Sequence, residues 1–214
     1  MKTESFPIMS LLMIVLLVII NMILMVPITE KVTQLTISSM PIASEQAAMV
    51  LSMTHKMRYI QIFGAAFSSV ITLLVYALLL FIFVRISKNR IDFSKIFQLI
   101  TCCYIVVVIG SLVNTALLHM RGIDEIKNMY DITVTGVNVL TSIEQVGVAS
   151  YVFLSYINPF QLWFVALLSI GLVVVADMKA AKAIVISVLF WLVTVLFPVL
   201  TVYFSQAVLA KAGM

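Results

Sequence analysis

Five runs of apolar residues alternate with polar connections along the chain, at residues 6–25, 59–84, 96–118, 160–176 and 183–204. A bilayer's hydrocarbon core is ~30 Å thick and a helix rises ~1.5 Å per residue, so runs of this length predict membrane-spanning helices. The last two runs are separated by little more than Asp177, Lys179 and Lys182. A connection that short cannot re-cross the bilayer, so these two spans form an antiparallel hairpin.

The first run is longer than the ~7–15-residue core of a secretory signal, and the MVPITEK that follows lacks a small-x-small cleavage site, so it is read as a span. From Pro27 to Arg58 the pattern becomes mixed. After the Thr- and Ser-rich ITEKVTQLTISSM, Pro41 opens a stretch in which Met49, Val50, Met53 and Met57 recur near the helical period, with Glu45, Gln46, Ser52 and Lys56 away from them. An interfacial amphipathic helix is expected there, with Met49, Met53 and Met57 as a candidate partner surface. The connection at 119–157 suits either a strand pair around Gly136 or short helices lying on the bundle, and short helices are favoured. Asn158-Pro159 prevents a sixth span from starting near Val146.

Polar residues inside the spans need partners. The Asn21 amide is expected to pair within the bundle. Span three is the most polar, so Gln98 and Asn114, with Gln161 of span four, are candidate bundle-interior positions. Gly110 and Asn114 lie one turn apart and suggest a close crossing with an interhelical amide bond. Gly64 and Ser68 have a small-xxx-small spacing. Pro198 should bend span five and free a carbonyl near Thr194, whose hydroxyl is placed to compensate. Trp163 and Tyr156 fit an aromatic belt, and Trp191 a core position.

Composition agrees with this pattern. Of 214 residues, 63% are apolar and 10% charged, against roughly 25% charged in soluble domains. The net charge of +4 is scattered over connections and offers no nucleic-acid surface. With five spans, Lys2, Arg85, Lys88, Arg90, Lys95, Lys179 and Lys182 fall on one side. Lys31, Lys56, Arg58, Arg121, Lys127 and Lys211 fall on the other. The first group sits in the shorter loops, where the positive-inside rule has force, which predicts a cytoplasmic N-terminus and an exported C-terminus. The basic loop Arg85, Lys88, Arg90, Lys95 marks the cytoplasmic face, by topology alone or as a surface for anionic lipid or an acidic partner. Cys102 and Cys103 are adjacent within an apolar run and read as packing residues.

The chain is poor in reactive chemistry. It has two histidines, His55 and His119, no HExxH, no phosphate-binding Gly-rich loop and no GxGxxG. The span interiors hold no Asp, Glu, Lys, Arg or His of the kind that couples transport to ions. No catalytic residue, cofactor or metal ligand is therefore assigned. A membrane enzyme would need His55, His119 and Asp124 or Glu125 to converge, and a passive conduit or lipid-handling transporter would need a polar groove along Gln98, Asn114 and Gln161.

The stretch NPFQLWFVALLSIGLVVVADMKAAKAIVISVLFWLV resembles the Yip family of five-span membrane proteins, whose eukaryotic members interact with Ypt/Rab GTPases. The resemblance rests on Asn158, Pro159, Phe160, Trp163 and Ile170-Gly171, then the lysine-bearing turn into Ala183-Ile184. Phe93-Ser94-Lys95 followed by Tyr104 looks like the family's entry to span three. It implies a single Yip-like membrane domain over 1–214, an all-α polytopic bundle with short interfacial helices in the exported loops. Few residues precede Phe6 and the Asp-Leu-Tyr-Gly-Pro-like motif is absent, so Rab binding is not carried over. The chain looks more like compact prokaryotic relatives, which implies the bacterial inner membrane and a membrane-protein partner such as an ABC exporter or an envelope-resistance system. A homo-oligomer is compatible with the same pattern.

Overall fold

The computed structural model of the chain describes residues 5–38, 44–126 and 130–211. Its long helices are α1 (Ser5–Ser38), α2 (Ser44–Ile86) and α3 (Phe93–Arg121). Two 3-10 turns follow, Ile123–Glu125 and Val137–Leu140, then the short helices α4 (Ile143–Val146) and α5 (Val148–Ser155). The chain ends with α6 (Pro159–Ala176) and α7 (Ala180–Lys211). Five stretches are long and apolar enough to cross a membrane: Ile8–Ser38, Lys56–Ile86, Phe93–Arg121, Pro159–Ala176 and Ala180–Gln206. The protein is an all-α, five-span integral membrane protein.

Two compact units can be described. Unit 1 takes in Met1–Thr72 and Val108–Ile132, and unit 2 takes in Leu73–Val107 and Thr133–Met214. In unit 1, Ile14, Ile28, Leu118 and Ile126 are buried, whereas Ile8, Leu12, Leu16 and Ile20 make an exposed stripe on α1 at helical spacing. Such a stripe suits lipid. In unit 2, Tyr76 meets both Tyr104 and Phe190 edge-on, at centroid separations of 6.0 and 5.6 Å, and Phe164 lies 6.3 Å from Phe190. These rings, with Leu80, Ile96, Ile100, Leu168 and Leu172, draw α2, α3, α6 and α7 into one core.

Several boundaries differ from those read off the hydropathy. Span one does not stop before Pro27, because α1 continues through it to Ser38. The hydroxyls that looked like loop composition bond back to the helix, at carbonyls other than Ile23 O, the one that Pro27 frees. Thr29 Oγ1 donates to Met25 O at 3.0 Å, Thr33 Oγ1 to Thr29 O at 2.8 Å and Thr36 Oγ1 to Val32 O at 2.8 Å. The expected interfacial helix is not a separate element either. Residues 39–43 lie outside the described residues, and from Ser44 the segment runs on as α2, a helix of 43 residues. Between Ser44 and Ile86 no proline interrupts it, and Gly64 alone does not break a helix.

The connection at 119–157 contains short helices, and among the described residues it has no strand. Gly136 is needed there for closeness: a Cβ would stand 2.5 Å from Ser155 O and 2.7 Å from Ser155 Cα. The Val137 amide donates to Ile157 O at 3.0 Å, and α5 packs on α7. Gly64 has no such role among the described residues, since a Cβ there would meet nothing within 4 Å. The Thr194 hydroxyl donates to Trp191 O at 2.8 Å and does not serve the carbonyl freed by Pro198, which lies inside α7.

Candidate functional site

In unit 1 the polar groups of the spans are joined into rungs between α1 and α3. Asn21 Nδ2 donates to Ser111 Oγ at 2.9 Å, and Thr115 Oγ1 donates to Asn21 Oδ1 at 2.8 Å while also lying 3.0 Å from Ser111 O. One turn on, His119 Nε2 stands 2.8 Å from Leu24 O, so that nitrogen carries the proton. Leu24 lies three residues before Pro27, where the ring loosens the carbonyls of the preceding turn. The rungs advance together along both helices, so α1 and α3 run parallel. Asn114 Nδ2 donates to Ile132 O at 2.8 Å, tying down the connection after α3.

Past these rungs comes a charged layer. Lys31 pairs with Asp124 at 3.1 Å, Arg121 Nε with Glu125 at 2.8 Å, and Arg58 with Glu30. The last pair, with Thr29, Gln61 and apolar neighbours, lines a small cleft of about 50 Å³. Asp124 and Glu125 are thus engaged by cations and His119 by a backbone carbonyl, while the His55 side chain lies outside the described residues. Among the described residues, no three His, Cys, Asp or Glu side chains gather as a metal would need. Beyond Arg58, α2 extends back to Ser44, and Met49, Met53 and Met57 on this extension are 58%, 55% and 50% exposed.

In unit 2 the residues around Asn158 have clear structural work. Asn158 is the N-cap of α6: its Oδ1 accepts from Gln161 N at 2.9 Å and its Nδ2 donates to Ser155 O at 3.1 Å. Pro159 follows at the first helical position, where its missing N–H costs nothing. Phe160 is half-buried and Trp163 is 54% exposed, as suits an interfacial ring. Gly171 lets α6 approach α3, since a Cβ there would collide with Leu99 Cδ1. Burial pushes the Tyr156 phenol above its ordinary range. Gln98 and Gln161 are half-buried in this unit, whereas Asn114 belongs to unit 1.

The chain matches the Yip1 domain over residues 3–202. It belongs to the Yip1 family. Among curated proteins and solved structures nothing matches it. Yip1-domain proteins are generally non-catalytic membrane proteins, which agrees with span polar groups that are spent on holding helices together. In this Yip1 domain the Asn158-Pro159 pair starts a span and Gly171 sets a helix crossing, so both serve the fold directly.

One further set of contacts in the Yip1 domain had no sequence signal. Asn89 Nδ2 donates to Ala176 O at 3.1 Å, and the Lys182 ammonium reaches Ser87 O and, at 2.7 Å, Asn89 Oδ1. Lys182 therefore lies within the first turn of α7 and clamps the α2–α3 loop to the α6–α7 turn. A cation over the last carbonyls of α2 also answers the negative end of that helix. Only the residue types, a lysine and an asparagine in predicted turns, could have hinted at it.

Proposed function

We propose that the protein acts by binding and without catalysis: it docks on other membrane proteins and stabilises or regulates a complex, an ABC-type exporter or an envelope-resistance system. The observation that carries this reading is the N-terminal extension of α2. From Ser44 to Met57 it continues past the Glu30–Arg58 pair for about 21 Å at 1.5 Å per residue, with Met49, Met53 and Met57 exposed along it. Methionine is apolar and adaptable, and a rigid helix that presents three of them supports recognition of another apolar helix. We place the protein in the bacterial cytoplasmic membrane with the N-terminus cytoplasmic, which puts this extension on the exported side.

The test is affinity purification of the tagged chain from its native membrane in gentle detergent, beside the variant Met49→Ser/Met53→Ser/Met57→Ser. The reading expects stoichiometric recovery of an ABC permease or its ATPase with the parent chain and its loss with the variant. Recovery of the chain alone, or equal recovery with both, refutes it. Single cysteines placed at Gln46 and at Lys88 and labelled from outside intact cells check orientation: only the first should react.

A further inference from the structure

The charged ends of the two units are built differently. In unit 1, Lys31, Arg58 and Arg121 each face a carboxylate of the same chain. In unit 2, Arg85, Lys88, Arg90, Lys95 and Lys179 are all exposed, and among the described residues none of the five is in an ion pair. Asp92 and Asp177 are the acidic residues in the same two connections.

These cations do not sit on loose loops. The α2–α3 loop and the α6–α7 turn are held side by side by Asn89 on Ala176 O and by Lys182 on Ser87 O and Asn89 Oδ1. Each loop has a residue in the left-handed region near its start, Lys88 at φ 62° and Asp177 at φ 49°. Ile91 and Met178 are buried beneath them. Two connections distant in sequence therefore present one fixed cationic surface.

Its depth points to the partner. Every one of the five cations lies within a few residues of the end of a span. The Arg85 guanidinium lies 5.0 Å over the Phe81 ring, Phe81 meets Phe93 edge-on at 5.8 Å, and Phe93 stacks with Phe97 at 6.4 Å. An aromatic step directly under a cation is the arrangement of a side chain that runs along apolar surface and ends at headgroup level. Phosphate groups already occupy that plane at high local concentration, whereas a soluble acidic protein would have to come down to it. We propose that this face of unit 2 binds the phosphate of an anionic phospholipid headgroup, with Lys88, Arg90, Lys95 and Lys179 as the contacting cations.

The test is titration of the purified full chain with phosphatidylglycerol or phosphatidylcholine, read as bound lipid by native mass spectrometry. The parent chain should retain phosphatidylglycerol over phosphatidylcholine. Each of Lys88→Gln, Arg90→Gln, Lys95→Gln and Lys179→Gln should weaken phosphatidylglycerol binding about fivefold, as expected for one basic residue near an anionic surface. Raising ionic strength from 0.1 to 1 M shortens the screening length from about 10 to about 3 Å and should abolish the preference. Lys56→Gln, an exposed cation of unit 1, is the control and should leave binding unchanged. Unchanged thermal unfolding in phosphatidylcholine shows that the variants are folded. Equal retention of the two lipids by the parent chain overturns the proposal. So does an equal loss with Lys56→Gln, which would make the effect one of net charge. A variant that keeps phosphatidylglycerol but loses a co-purifying acidic protein also overturns it and gives the face to that protein.

Discussion

Replacing Asn21 with alanine removes the rung that joins α1 to α3 within the membrane. Two hydrogen bonds go, the amide to Ser111 Oγ and the Thr115 hydroxyl to Asn21 Oδ1. Thr115 is not orphaned, because Ser111 O remains within reach at 3.0 Å. Interhelical hydrogen bonds in membranes average about 0.6 kcal/mol and reach about 1.7, so two bonds with a fallback acceptor place the loss at about 1–2 kcal/mol. At about 1.4 kcal/mol per factor of ten, the unfolding equilibrium shifts roughly 5- to 30-fold. The assay is reversible unfolding in bicelles by a steric trap, applied to Asn21→Ala, Thr115→Val and the double variant. The double-mutant cycle isolates the shared bond and should return a coupling of about 0.5–1 kcal/mol. If Asn21→Ala stays within about 0.3 kcal/mol of the parent, or the two changes simply add, the rung does not stabilise the helix pair.

Three further outcomes are expected. Gly171→Ala should destabilise unit 2 by about 1–3 kcal/mol in thermal unfolding, because the added methyl meets Leu99. Leu99→Ala in the same chain should recover part of that loss, and strict additivity would mean that α6 does not approach α3 there. Lys182→Met should leave Ser87 O and Asn89 Oδ1 without their cationic donor and cost about 1–2 kcal/mol at this half-buried site, with Lys182→Arg closer to the parent. An unchanged melting temperature in neutral lipid would count against the clamp. Gly136→Ala should force the 3-10 turn Val137–Leu140 off Ser155 and open the 133–157 connection to limited proteolysis, whereas an unaltered cleavage rate would contradict the close contact.

The spans were legible because burial in lipid imposes one rule on every residue of a run, and the rule can be read without knowing the partners. The start of α6 was legible for a local reason, since an N-cap asparagine followed by proline acts within its own turn. What escaped depends on where a polar group finds its mate. The hydroxyls of Thr29, Thr33 and Thr36 look like loop composition, yet each bonds to a carbonyl of its own helix, which runs past Pro27 to Ser38. Asn114 was placed by its spacing from Gly110, and the spacing held no sign that its Nδ2 donates to a carbonyl 18 positions later. Lys182 was read as a topology signal, and its ammonium instead serves a loop 93 residues earlier. Pairings at such separations leave no periodicity behind.

The separation within the Asn21 rung has a consequence for how the protein is made. Ser111 lies 90 residues after Asn21. At roughly 5–20 residues synthesised per second, the first span waits about 5 to 20 s before its native partner emerges. Throughout that interval the Asn21 amide has no mate of its own in the membrane. The rung between α1 and α3 therefore closes only after α3 has been made, so the stability it gives the first span arrives late in synthesis.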